Sequence, residues 1–191
     1  MDHRLLCFWL ALALTACVPF RETTYDAVHG IQNPAGPGGG CPRDRYRFGD
    51  RTKIGVTMSA DLEKGTPKVS LIVSVWTGHT FNMSSAEIVL ESLQKPSTHS
   101  TLPLTFYECP NGNRAAKGCI SRTPPFVGPP RRNSFPQIEA YFADVPVPKD
   151  FVDGFTVSLA YSADGTELAE PVAAEFVKVT RFVSRGPYGC E

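Results

Sequence analysis

The stretch KVSLIVSVW, residues 68–76, has the clearest strand pattern in the chain. Its three valines and Leu71 recur at every second position, so they share one face of an extended strand. The two serines, Ile72 and Trp76 fall on the opposite face. One wholly apolar face beside one mixed face is typical of an antiparallel strand with a single side on the core. The stretch therefore predicts a strand in the middle of a sheet.

The same alternation of apolar and polar residues recurs on both sides of this strand. It is found in the sets Ile54, Val56 and Met58; Leu102, Leu104 and Phe106; Ile138, Ala140 and Phe142; and Phe155, Val157 and Leu159. Asp164-Gly165 predicts a hairpin turn, and residues 149–153 could form one helical turn. No amphipathic helix is evident, and 16 glycines and 17 prolines indicate many turns.

These features predict an all-β fold for residues 41–191, namely an antiparallel β-sandwich of immunoglobulin-like architecture with long loops. Trp76 on a central strand is similar to the buried tryptophan of immunoglobulin-like domains. The cysteine pair that flanks that tryptophan in those domains is absent, so the resemblance concerns the fold class alone.

Composition narrows the possible partners. Lys and Arg total 19, as do Asp and Glu, so the formal net charge is zero. Binding to nucleic acid depends on a basic excess that neutralises phosphates. The chain is therefore not expected to bind nucleic acid. Its 42% hydrophobic and 20% charged residues are ordinary for a globular protein.

The first residues have the pattern of an export signal. Residues 5–14, LLCFWLALAL, are ten apolar residues without a charge. As a helix they would span roughly 15 Å, half of a bilayer core of about 30 Å. This length is typical of a secretory signal peptide and is too short for a transmembrane helix.

The next four residues, Leu14-Thr15-Ala16-Cys17, resemble the lipobox of bacterial lipoproteins. The resemblance implies removal of residues 1–16 and lipidation of Cys17, which would anchor the chain to a membrane. Val18 follows where an Asp would favour retention in the inner membrane of many Gram-negative bacteria. The resemblance therefore implies an outer-membrane lipoprotein that faces the periplasm.

The remaining cysteines predict a disulfide framework. Cys7 leaves with the signal and Cys17 carries lipid, so four cysteines remain in an exported chain. Four cysteines allow three pairings, of which we favour Cys109–Cys119 and Cys41–Cys190. The first pair brackets a turn-rich loop, and the second would join the two ends of the domain. The sequence contains no C-x-x-C motif that would suggest a metal or redox site.

Residues 17–40 are predicted to form a lipidated N-terminus and a flexible tether. The segment NPAGPGGG, residues 33–40, contains helix and strand breakers and has no apolar period. The alternative is that Tyr25, Val28 and Ile31 pack along the domain as an ordered edge.

The sequence contains no recognisable catalytic motif, so we expect a non-enzymatic protein without metal or cofactor. His29, His79 and His99 are the histidines left after signal removal, and all fall in predicted loops or in the tether. A hydrolase remains an alternative. It would require His79 or His99 to lie within about 3 Å of a nucleophile or a carboxylate.

The most unusual stretch is TPPFVGPPRRNSFP, residues 123–136. Prolines stiffen the backbone and reduce the entropy lost on binding. Phe126 and Phe135 are candidate anchors for a partner's pocket, and Arg131 and Arg132 for its carboxylates or phosphates. The alternative is a surface crossover between two sheets with solvated arginines.

Together these features favour a membrane-anchored lipoprotein that binds another envelope or secreted protein, as an assembly subunit or an inhibitor of a toxic or lytic enzyme. The alternative is a carrier of a small ligand or carbohydrate. That role requires a cavity between the sheets, near Trp76 or near Tyr141 and Phe142.

Overall fold

The computed structural model describes residues 20–28, 31–34, 40–50, 52–63, 65–112, 117–131, 135–168 and 170–183. These residues form sixteen strands and two single-turn 3₁₀ helices, at Pro110–Gly112 and Lys149–Phe151. In chain order the strands are β1 (Phe20–Ala27), β2 (Ile31–Pro34), β3 (Gly40–Asp50), β4 (Ile54–Glu63), β5 (Thr66–Trp76), β6 (Thr80–Asn82), β7 (Glu87–Ser92), β8 (His99–Pro103), β9 (Phe106–Glu108), β10 (Ile120–Arg122), β11 (Phe126–Val127), β12 (Ile138–Pro146), β13 (Gly154–Leu159), β14 (Ser162–Ala163), β15 (Thr166–Glu167) and β16 (Val172–Val183).

The strands form three antiparallel sheets. The five-stranded sheet has the order β1-β16-β13-β7-β8, and the seven-stranded sheet has the order β10-β9-β12-β5-β4-β3-β2. A small third sheet has the order β11-β6-β14-β15. The prediction of an all-β antiparallel sandwich is confirmed.

The core lies on the face of β5 that the sequence pattern predicted. Val69, Leu71, Val73 and Val75 are fully buried. The partner strand β4 aligns an apolar residue with each of them, and β12 does so with all but Val75, which pairs with Glu139. Fully burying an aliphatic or aromatic side chain of this size contributes about 1.5–3 kcal/mol. Aromatic residues of the five-stranded sheet, such as Phe155, complete this core.

The domain begins earlier in the chain than the sequence predicted. The segment expected to be a tether contains β1, which pairs with β16 over its whole length, and β2, which pairs with β3. Tyr25 is only 1% exposed, and its hydroxyl donates a hydrogen bond to the carbonyl of Val152. Because Tyr25 and Ala27 fill the edge of the core, the described part of this segment packs along the domain as an ordered edge, which is the alternative that the sequence left open.

Several local predictions are confirmed. Asp164 and Gly165 both have positive φ, 51° and 80°, at the turn that joins β14 to β15. A two-residue hairpin favours this conformation. The predicted helical turn is the short 3₁₀ helix that begins at Lys149. In its described part, the Pro-rich segment contributes one strand, β11, at the edge of the small sheet, because proline cannot donate a ladder hydrogen bond.

Candidate functional site

The outer face of the seven-stranded sheet, which points away from the core, carries mixed polar and apolar side chains. Cross-strand pairing places six of them in one row from β3 to β10: Arg47, Thr57, Ile72, Phe142, Tyr107 and Ser121. Tyr107 is 42% exposed. Exposed aromatic residues on a sheet face are a feature of binding surfaces.

A shallow depression of about 290 Å³ lies on this outer face. We call it the Trp76 depression. It is lined by Arg47, Gly55, Thr57, Ser74, Trp76 and Ile138. Trp76 and Ile138 form a cross-strand pair, and Ile138 is half-exposed. Trp76 is therefore unlike the buried tryptophan of immunoglobulin-like domains, because it lines the open side of its sheet.

A second depression, of about 210 Å³, lies farther along the same face. It is lined by Tyr107, Phe142, Asp144 and the two cysteines of the Cys109–Cys119 disulfide. This disulfide confirms one predicted pairing. Both depressions lie near aromatic residues that the sequence singled out. They open on the outer face of the sheet, however, whereas the carrier hypothesis requires a cavity between the sheets.

The predicted partner-binding residues have different environments. Phe126 is only 2% exposed, and its ring contacts Phe81, Phe106 and Tyr141 in the core. Its assignment as a partner anchor does not fit this fold, because its ring is already enclosed by other aromatic rings. Phe135 is 74% exposed and Arg131 is exposed, as a binding role requires.

Four other predicted residues cannot be compared with the structure in the same way. Arg132, Cys17 and Cys190 lie outside the described residues, and Cys41 lies in β3 without a described side chain. The lipidation of Cys17 and the Cys41–Cys190 bridge therefore stay predictions.

His79 has a carboxylate partner that the sequence did not identify. Its Nδ1 lies 2.8 Å from Oδ2 of Asp164, and the other carboxylate oxygen accepts a hydrogen bond from the backbone N–H of Thr80. These hydrogen bonds hold the pKa of Asp164 below its usual range. The pair joins the turn after β5 to the β14–β15 hairpin.

The His79–Asp164 pair meets the distance condition stated above for a hydrolase. An imidazole oriented by a carboxylate can act as a base only if a nucleophile lies within reach of its other nitrogen. Among the described residues, no side chain forms a hydrogen bond with that nitrogen. His99 lies in β8, where it is exposed and has no side-chain hydrogen bond to a described residue. In the structure, the pair links the turn after β5 to the β14–β15 hairpin.

This role predicts a pH-dependent contribution to stability. A carboxyl whose pKa is lowered in the folded state stabilises the fold above its unfolded pKa of about 4, and the contribution is lost as the pH falls through the lowered value. We expect Asp164→Asn to destabilise the protein by less than about 1 kcal/mol at pH 7, because the pair is exposed. The difference from wild type should vanish near pH 2, as measured by thermal unfolding.

The control for this experiment is Asp150→Asn, which removes an exposed carboxylate that has no ion-pair partner in the described part of the chain. This variant should unfold like wild type at both pH values. A pH-independent loss in Asp164→Asn would contradict the assignment.

A second charged cluster lies at the edge where β9, β10 and β12 meet. Burial raises the pKa of the Glu139 carboxyl, the charge of Glu108 raises it further, and Arg122 opposes both effects. The Arg122 Nε donates a hydrogen bond of 2.6 Å to Glu108. This ion pair joins β9 to β10, and the guanidinium of Arg122 neutralises the carboxylate of Glu108.

Metal and membrane features can be stated for the described residues alone. Within them, no group of three or more histidine, cysteine or acidic side chains is arranged to hold a metal ion. They also include no helix that is long and apolar enough to cross a bilayer.

Comparison with known proteins adds no relative. No protein-family model, curated protein or solved structure matches the chain. The class that the structure defines is therefore a disulfide-bonded, all-β antiparallel sandwich with an open outer face.

Proposed function

We propose that this protein is a lipid-anchored, non-catalytic lipoprotein of the bacterial outer membrane, facing the periplasm. Its sandwich binds another envelope or secreted protein, as an assembly subunit or an inhibitor. The observation that carries the proposal is the 74% exposure of Phe135 on the Pro-rich segment. Phenylalanine is among the residues enriched in protein interfaces, where an aromatic ring anchors in a pocket of the partner.

Neighbouring residues support a binding surface around Phe135. Val127, on the same Pro-rich segment, is 60% exposed. Arg131 adds an exposed cation on the same segment. Aromatic residues and arginine are enriched in protein interfaces, where the apolar side chains lose contact with water and the guanidinium pairs with carboxylates.

The anchor would hold this surface near lipid. Only residues 18 and 19 separate Cys17 from the start of β1 at Phe20. Three residue steps of extended chain span roughly 10 Å. A lipid on Cys17 would therefore place the β1 edge close to the bilayer, and a partner would be met beside the membrane surface.

The anchor is tested by Cys17→Ser. We expect this variant to remain an uncut precursor or to be released in soluble form, and in either case to incorporate no palmitate. Mass spectrometry of the wild-type chain should find a mature N-terminus at residue 17 with added acyl mass. A mature N-terminus elsewhere, without acyl mass, would refute the anchor and leave the binding surface untouched.

The binding surface is tested by photo-crosslinking in the bacterial envelope. A photoreactive residue at position 135 should give a discrete adduct with a second protein, and one at position 89 should not. Val89 is a matched control, because it is 42% exposed on the five-stranded sheet. Phe135→Ser should weaken capture of the crosslinked protein by about 10–100-fold, the effect of losing an interface anchor of about 1.4–2.7 kcal/mol. Adducts at both positions or at neither would refute the proposal.

A further inference from the structure

The Trp76 depression combines an aromatic wall with polar side chains that have no partner among the described residues. Arg47, Thr57 and Ser74 form no side-chain hydrogen bond or ion pair with any described residue. The depression therefore presents one guanidinium and two hydroxyls to solvent beside an indole ring. This combination offers both an apolar contact and directed hydrogen bonds.

Among the described residues that line the depression, the charge has one sign. Arg47 is the charged side chain among the described lining residues, and none of those residues is acidic. A guanidinium without an internal partner pairs favourably with a carboxylate or sulfate, often through two parallel hydrogen bonds. The ligand that complements this depression is therefore an anion.

The floor of the depression is open because residue 55 is glycine. A Cβ atom placed on Gly55 would meet no atom closer than the Ser74 Cβ, at 3.9 Å. The backbone therefore has room for a Cβ atom at position 55, and a longer side chain there would extend into the depression that Gly55 lines.

We propose that the Trp76 depression binds one ring of an acidic saccharide. The apolar C–H face of the sugar stacks on Trp76, its hydroxyls bond Thr57 and Ser74, and its carboxylate pairs with Arg47. This inference does not depend on the proposed protein partner, which contacts the Pro-rich segment. The depression is shallow, and its volume of about 290 Å³ lies just below the usual range for ligand pockets, about 300–1,000 Å³. A sugar ring with an apolar face and a hydroxyl rim fits such a site better than a peptide side chain, which needs a deeper pocket.

The chain provides its own probe for the test. It contains two tryptophans, Trp9 and Trp76. In the full chain carrying Trp9→Phe, tryptophan fluorescence reports on the depression alone. We expect trigalacturonate to change this fluorescence in a saturable way, and neutral galactotriose to bind at least ten times more weakly. Equilibrium dialysis of the same sugars measures binding without relying on Trp76.

Two variants separate the contributions of shape and charge. Gly55→Leu, which fills the depression, should weaken trigalacturonate binding at least tenfold. Arg47→Gln should bring the affinity for trigalacturonate down to that for galactotriose. Arg21→Gln, the matched loss of an exposed arginine in β1 of the other sheet, should bind like wild type.

Three outcomes would overturn the assignment. The first is no saturable binding of trigalacturonate, and the second is unchanged binding in Gly55→Leu. The third is tetraglutamate binding as tightly as trigalacturonate, because charge alone would then govern recognition and the partner would be an acidic peptide. None of these outcomes bears on the crosslink expected from position 135, so the two proposals fail separately.

Discussion

Phe126→Ala is expected to lower the free energy of unfolding by about 3–5 kcal/mol, the usual effect of removing a fully packed phenylalanine ring. The ring centroid of Phe126 lies 4.0 Å from that of Tyr141, in a stacked arrangement, and 5.0 Å from that of Phe106, in an edge contact. Its removal would leave a cavity where the small β11–β6 pair meets the main core. Such a loss is a large part of the stability of an ordinary domain.

The control is Phe135→Ala, on the same Pro-rich segment nine residues away. Its ring is largely in solvent, so its removal should change the unfolding free energy by less than about 0.5 kcal/mol. Urea unfolding followed by circular dichroism measures both variants. Equal stability losses at the two positions would contradict the assignment of Phe126 to the core and of Phe135 to the surface.

Removal of the Cys109–Cys119 disulfide by a double change to serine is expected to cost roughly 2.7 kcal/mol in the chain-entropy model, because the bridge closes a loop of about ten residues. The bridge also lines the depression near Phe142. Without it, the two ends of the loop are no longer joined. The loop between the two cysteines contains Arg114 and Lys117, which are trypsin sites.

Urea unfolding and limited trypsin digestion together measure this effect. The double variant should unfold at a lower urea concentration and should be cut within residues 110–118 faster than wild type. Ile120→Ser, a change of an exposed neighbour, should alter neither property. A double variant with unchanged stability and unchanged cleavage would show that the bridge does not restrain the loop.

The comparison of Phe126 with Phe135 shows where sequence reasoning ends. Both residues belong to one Pro-rich segment, and composition predicted the same role for both. The difference arises because the backbone at Phe126 pairs with Phe81 in β6. That pairing turns the Phe126 ring onto the aromatic core. No local pattern in the segment contains this information.

The N-terminal segment shows the same limit. The alternation in Tyr25 and Ala27 is short and is flanked by polar residues, so the sequence favoured a tether. The strand forms because β16, more than 140 residues away in the chain, pairs with β1 along the whole length of β1. His79 and Asp164 are likewise 85 residues apart and meet only because β6 and β14 pair.

The sequence by itself determined the features that are encoded within a few neighbouring residues. These are the all-β class, the buried face of β5, the Asp164-Gly165 hairpin and the Cys109–Cys119 bridge. A period of two, a turn dipeptide and a short loop between cysteines each act locally. Only the tertiary structure decided which face of the seven-stranded sheet stays open and which side chains share it. The reason is that strand register joins residues distant in the chain, and long-range pairing, not local propensity, places Arg47 and Trp76 in the lining of one depression.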